Sequence, residues 1–89
     1  MSLPLSEAIC KYWVPWQGLD WPIDWDAVFG RSGELVVEIG FGNGQFLVDL
    51  AQQHPDRNFV GIERAWSSVV RDFKRLETLG LDNVQVLEA

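Results

Sequence analysis

Val37-Glu38-Ile39-Gly40-Phe41-Gly42-Asn43-Gly44-Gln45-Phe46 joins an apolar run to three alternate glycines, with a carboxylate two positions before the first. Upstream, Leu35 to Ile39 is short, branched and apolar, as expected of a strand buried on both faces of a parallel sheet. Downstream, Phe46, Leu47, Leu50 and Ala51 recur at helical spacing, so the glycines fall where a strand turns into a helix. Glycine suits that turn because it tolerates positive φ and has no side chain to keep a ligand from the backbone. The unpaired N–H groups at a helix start can then face an anionic ligand group. The stretch reads as a nucleotide-cofactor loop.

The spacing discriminates between cofactors. A dinucleotide fingerprint runs Gly-x-Gly-x-x-Gly, its third glycine letting helix and strand pack closely. Here Gln45 stands three residues after Gly42, so that fingerprint fails. The pattern Glu-x-Gly-x-Gly-x-Gly instead resembles motif I of the Rossmann-like methyltransferases that use S-adenosyl-L-methionine (SAM). Glu38 suits a ligand with an ammonium group and suits a pyrophosphate poorly.

A second apolar run, Phe59-Val60-Gly61-Ile62, ends on Glu63, 63 − 38 = 25 residues after Glu38, the length of one strand-helix-strand unit. A carboxylate there can accept both hydroxyls of a ribose. It would repel a 2′-phosphate, which argues against NADP and leaves NAD open. A glutamate at a strand end also serves simply as a solvated residue or as a cap for the next helix.

These elements organise the chain. Residues 1–33 form a Trp/Pro-rich N-terminal arm with no sustained period. Residues 34–89 read as strand 35–39, helix about 44–54, strand 59–62, helix about 66–79 and strand 84–87. Pro55 should stop the first of these helices near His54, where the imidazole suits the helix dipole, and Gly80 should cap the second. The fold class is α/β, the N-terminal half of a doubly wound Rossmann-like sheet with three parallel strands and crossover helices. An irregular Trp-rich arm precedes it.

Composition is that of an ordinary globular domain, 47% hydrophobic and 22% charged. No apolar run reaches a membrane-spanning length and no signal peptide is legible, so a cytoplasmic location is expected. Cys10 is the only cysteine and His54 the only histidine, which exclude an internal disulfide and a zinc site within these residues. Cys10 is expected to be a small, buried or half-buried apolar residue.

A net charge of −6 speaks against nucleic-acid binding by these residues alone. Even so, Arg64, Arg71, Lys74 and Arg75 gather in or beside the second helix, with Arg64, Arg71 and Arg75 near one face. Such a stripe could hold phosphates, or it is the solvated face of an amphipathic helix with Asp72 and Glu77 interspersed. Trp13, Trp16, Trp21 and Trp25 stand among aspartates, and are expected to anchor the arm on the domain rather than to stack bases. Trp66 follows Glu63 closely enough to border an adenine pocket, and core packing explains it equally well.

The motif run of Val37 to Gly44 with Phe46-Leu47, then His54-Pro55-Asp56, Asn58-Phe59-Val60-Gly61-Ile62-Glu63 and Leu79-Gly80-Leu81-Asp82-Asn83-Val84, resembles the bacterial tRNA (guanine-N7)-methyltransferase family over about residues 34–88. The resemblance implies transfer of the SAM methyl group to N7 of a guanine in the variable loop of tRNA. It implies Glu38 and Glu63 as cofactor ligands, with Gly40, Gly42 and Gly44 forming the loop. That family's Pro-Asp-Pro-Trp motif, which supplies its proposed catalytic aspartate, has no counterpart here. Nor has the aspartate expected soon after the third strand. No catalytic residue is therefore assigned, and Asp20, Asp24 and Asp26 stand where many members carry a basic arm. Other readings are an NAD- or nucleoside-binding module, a noncatalytic subunit that completes its sheet with a partner, or a methyltransferase acting on a small molecule or protein.

At 89 residues the chain is about half of a doubly wound fold. In the methyltransferase strand order the first strand is central, flanked by a fourth. We therefore expect these residues to belong to a longer enzyme, to be inactive alone, and to self-associate if the edge of the first strand stays bare.

Overall fold

The computed structural model describes residues 5–40 and 45–89. The elements run α1 (Leu5–Tyr12), a 3-10 turn (Trp16–Gly18), α2 (Trp25–Phe29), β1 (Leu35–Ile39), α3 (Gln45–Gln53), β2 (Asn58–Glu63), α4 (Trp66–Leu79) and β3 (Val84–Glu88). From Leu35 onward every expected element forms, each boundary within one residue of the sequence reading. The three strands are parallel in the order β1-β2-β3.

Side chains alternate between the two faces of a strand, and register decides which of them meet. On one face, Phe59, Val84 and Val86 pack with Leu47, Val48 and Ala51 of α3, Val69, Phe73 and Leu76 of α4, and Tyr12 of α1. Both crossover helices therefore lie on one face, as right-handed connections between successive neighbouring strands require. On the other face, Val60 and Leu87 meet Val14, with Trp16, Leu19, Trp25, Val28 and Phe29 packed around them. Each fully buried side chain of this kind contributes about 1.5–3 kcal/mol.

The arm departs from the expectation of an irregular segment by forming α1 and α2. In α2, Asp24 caps the start, its Oδ1 accepting from the Ala27 N–H at 3.2 Å, and Gly30 closes the end with φ 71°. Beyond α1, Trp13 bridges Val86 in parallel and the Val14 N–H donates to the Val86 carbonyl at 2.9 Å, so the arm extends the sheet past β3. The tryptophans anchor it as expected: Trp16 donates from Nε1 to the Glu88 carbonyl at 2.9 Å, and Trp25 packs under Val60 and Leu87. Trp21 is the exception at 65% exposed, touching Trp16 edge-on.

Two expectations need correction. β1 is not buried on both faces: Leu35, Val37 and Ile39 are exposed, because β1 lies at the sheet edge and the arm covers β2 and β3 on that face. Cys10 is exposed, since α1 turns Ile9 and Tyr12 toward the core and Cys10 away from it.

Local chemistry fixes the helix ends. α3 stops at Gln53, and the Asn83 side chain donates to the Ala51 and His54 carbonyls at 2.9 and 3.1 Å. These acceptors would otherwise be orphaned by the end of the helix. Gly80 caps α4 as anticipated, with φ 65° and its N–H directed at the Glu77 and Leu76 carbonyls.

Candidate cofactor site

Glu38 and Glu63 come together through strand register. Glu38 pairs with Gly61, so the alternation that turns Val36 and Phe59 into the helix-covered core also sends Glu38, Gly61 and Glu63 to that face. Both carboxylates therefore stand at the carboxyl ends of neighbouring parallel strands, the place where open α/β sheets bind ligands. Gly61 leaves no side chain between them.

Gly40 follows β1 with φ 67°, a left-handed value that an L side chain resists. A Cβ placed on it would meet no atom of the described residues within 4 Å, so among them the need for glycine here is conformational. Its N–H donates to the Ile62 carbonyl at 2.7 Å, so this amide serves the sheet and not a ligand. Gly42 and Gly44, the other expected members of the loop, lie outside the described residues.

Glu63 is half-buried, and its Oε1 accepts from the Arg64 and Ala65 N–H groups at 2.8 and 3.4 Å. These two amides precede α4, whose start has no side-chain cap, so the contact fixes the orientation of the carboxylate and is not the helix cap foreseen as its alternative role.

Asp72, expected among the charges of a solvated helix face, is instead buried, at 2% exposed. Among the described residues, neither of its carboxylate oxygens has a hydrogen-bond partner. Burial pushes its pKa up to about 6, Arg75 and Arg71 oppose the shift, and Glu63 adds to it. The signal was available: Asp72 lies three residues after Val69 and four before Leu76, on the buried stripe of α4.

The basic residues of α4 divide. Arg64, Arg71 and Lys74 are exposed, and Arg75 is half-buried. Lys74 and Arg75 line a groove of about 450 Å³ between α3 and α4 with Gln45, Val48, Gln52, Thr78 and Leu79. Neither Glu38 nor Glu63 borders it.

A parallel sheet with both crossover helices on one face, and two carboxylates and a positive-φ glycine at its carboxyl end, define a Rossmann-like α/β unit. Residues 32–89 match the family described as "Putative methyltransferase", and the chain belongs to that family. A tRNA (guanine-N(7)-)-methyltransferase of Leifsonia xyli is 43% identical over 85 residues, covering 92% of this chain and 37% of the relative. Its namesake in Thermotoga maritima is 46% identical over 67 residues, 75% of this chain and 21% of the relative. That of Pectobacterium atrosepticum is 39% identical over 83 residues, 90% and 34% respectively. The chain thus spans about a fifth to somewhat over a third of these relatives' lengths. Among the described residues, no helix is long and apolar enough to cross a membrane.

Proposed function

We propose that these residues form the SAM-binding part of a tRNA (guanine-N7)-methyltransferase. The observation that carries the reading is the placement of Glu38 and Glu63 on one face at adjacent strand ends, with Gly61 bare between them and Gly40 turning the chain away. Membership of a methyltransferase family requires a methyl donor, and these residues fit SAM. Glu38 complements the ammonium of its amino-acid end, and Glu63 accepts from the ribose hydroxyls, as acids at the end of a second strand do in related sheets. Gly42 and Gly44 are the proposed remainder of the cradle. A pair of carboxylates disfavours phosphate-bearing cofactors, which argues for SAM over a dinucleotide.

When bound, SAM supplies an electrophilic methyl group on a sulfonium. The chain's residues would hold it: Glu38 would fix the amino-acid end and Glu63 the ribose, with the sheet ends keeping the two carboxylates at constant separation. Guanine N7 presents a lone pair at neutral pH, so positioning and electrostatics would carry most of the rate. The tRNA substrate, and the activity of the whole protein, rest on the named relatives. The test is to incubate the intact protein with methyl-labelled SAM and tRNA, digest the RNA and identify labelled nucleosides by mass spectrometry. N7-methylguanosine is expected; label in another nucleoside, or none in RNA, would overturn the substrate assignment.

A further inference from the structure

The face that carries Glu38 and Glu63 continues past them. β3 follows β2 in the sheet, where Glu88 pairs with Glu63, and beyond β3 Trp13 pairs with Val86. Trp66 opens α4 three residues after Glu63 and meets Trp13 edge-on, with ring centroids 5.9 Å apart and planes at 77°. From the core side Phe73 meets Trp66 at 6.1 Å and 76°. Phe73 is fully buried, yet Trp66 and Trp13 remain 41% and 38% exposed. Core packing accounts for Phe73 but leaves an aromatic surface exposed at the start of α4, three residues after Glu63.

Direction decides what that surface meets. A ligand with its ammonium at Glu38 on β1 and its ribose at Glu63 on β2 extends along the strand order β1-β2-β3. Its base then falls over the end of β3, on the side where Trp66 and Trp13 stand. Glu63 and Glu88 repel a phosphate-bearing base such as one in RNA, and accept the uncharged base of a nucleoside whose other end is cationic.

We propose that Trp66, buttressed by Trp13 and Phe73, is the aromatic wall against which the adenine of the cofactor packs, and so positions the nucleoside. The inference rests on the SAM reading above. Stacking against an aromatic ring is worth enough that losing it weakens binding by about 5- to 150-fold.

The test uses the 89-residue chain labelled with nitrogen-15, so that its five indole N–H signals are visible. SAM is added to the wild type, and SAM and methylthioadenosine, which lacks the amino-acid end, are titrated into wild type, Trp66→Leu, Trp66→Phe and Glu63→Ala. The expected result is a shift of the Trp66 and Trp13 indole signals with Trp25 unmoved, equal weakening of both ligands by Trp66→Leu, and recovery in Trp66→Phe. The wild-type spectra keep the question answerable if Trp66→Leu does not fold. SAM binding that is weakened by Glu63→Ala, but leaves the Trp66 signal unmoved and is unchanged in Trp66→Phe and Trp66→Leu, would overturn the wall while sparing the cofactor site. No SAM binding by the wild type would overturn the cofactor reading itself, and the wall with it.

Discussion

The Tyr12 hydroxyl, at the end of α1, donates to the Leu81 carbonyl at 2.9 Å and to the Leu76 carbonyl at 3.1 Å, sixty-four and more residues further along the chain. Its ring is fully buried with the residues of α3 and α4, so the arm completes the same core as the sheet. Tyr12→Phe keeps the ring and removes the donor, and should cost about 1–2 kcal/mol. Urea unfolding checks this; an unchanged midpoint would mean that water replaces the hydroxyl without loss.

Asp72 should make stability depend on pH in an unusual sense. Its folded pKa lies above the ordinary value of 3.8, at about 6, so between these pH values the native state binds more protons than the unfolded chain. Stability therefore falls as pH rises through that window, by at most about 3 kcal/mol. Asp72→Asn should be more stable than wild type by about 1–2 kcal/mol at pH 7, with the gain vanishing near pH 4. Unfolding midpoints of both proteins across that range decide the matter, and a difference independent of pH would contradict it.

Gly40→Ala isolates the conformational demand of the turn after β1. With no described atom crowding the position and φ of 67°, the expected cost is about 1–2 kcal/mol from backbone strain. A similar loss in Gly40→Asn would be evidence against this, because asparagine tolerates the left-handed region better than alanine does. Thermal unfolding of the two variants side by side supplies the comparison.

Leu35, Val37 and Ile39 present an exposed apolar row on β1, at the edge of the described sheet. Such an edge invites pairing with another chain. We expect the 89-residue chain to associate with rising concentration, and Val37→Lys to reduce this with little change in unfolding, since Val37 is 47% exposed. Sedimentation velocity distinguishes the two; association undiminished by Val37→Lys would place the contact elsewhere.

From Leu35 to Glu88 the fold was legible because each element carries its own period and its own stop signal, Pro55 after α3 and Gly80 after α4. The arm was not, because among the described side chains of α1 Ile9 and Tyr12 are the ones that meet the core, too few to register as periodicity. Its docking on β3 is a contact of long sequence separation, which no local pattern contains. The exposure of β1 was missed for a related reason: an apolar run reports what a strand can be buried by, not which neighbour covers it. That Glu38 and Glu63 fall near the ends of neighbouring strands was legible from the two apolar runs, whereas the buried state of Asp72 required weighing one charge against an apolar stripe.

Titration of SAM, with NAD as a control, into the wild-type chain and Glu63→Ala tests the central claim most directly. SAM-selective binding is expected, weakened by about 1–3 kcal/mol in the variant as ribose hydroxyls lose their acceptor. Equal SAM affinity in the two proteins, with both folded, would contradict it and leave Glu63 as no more than an acceptor for the Arg64 and Ala65 N–H groups.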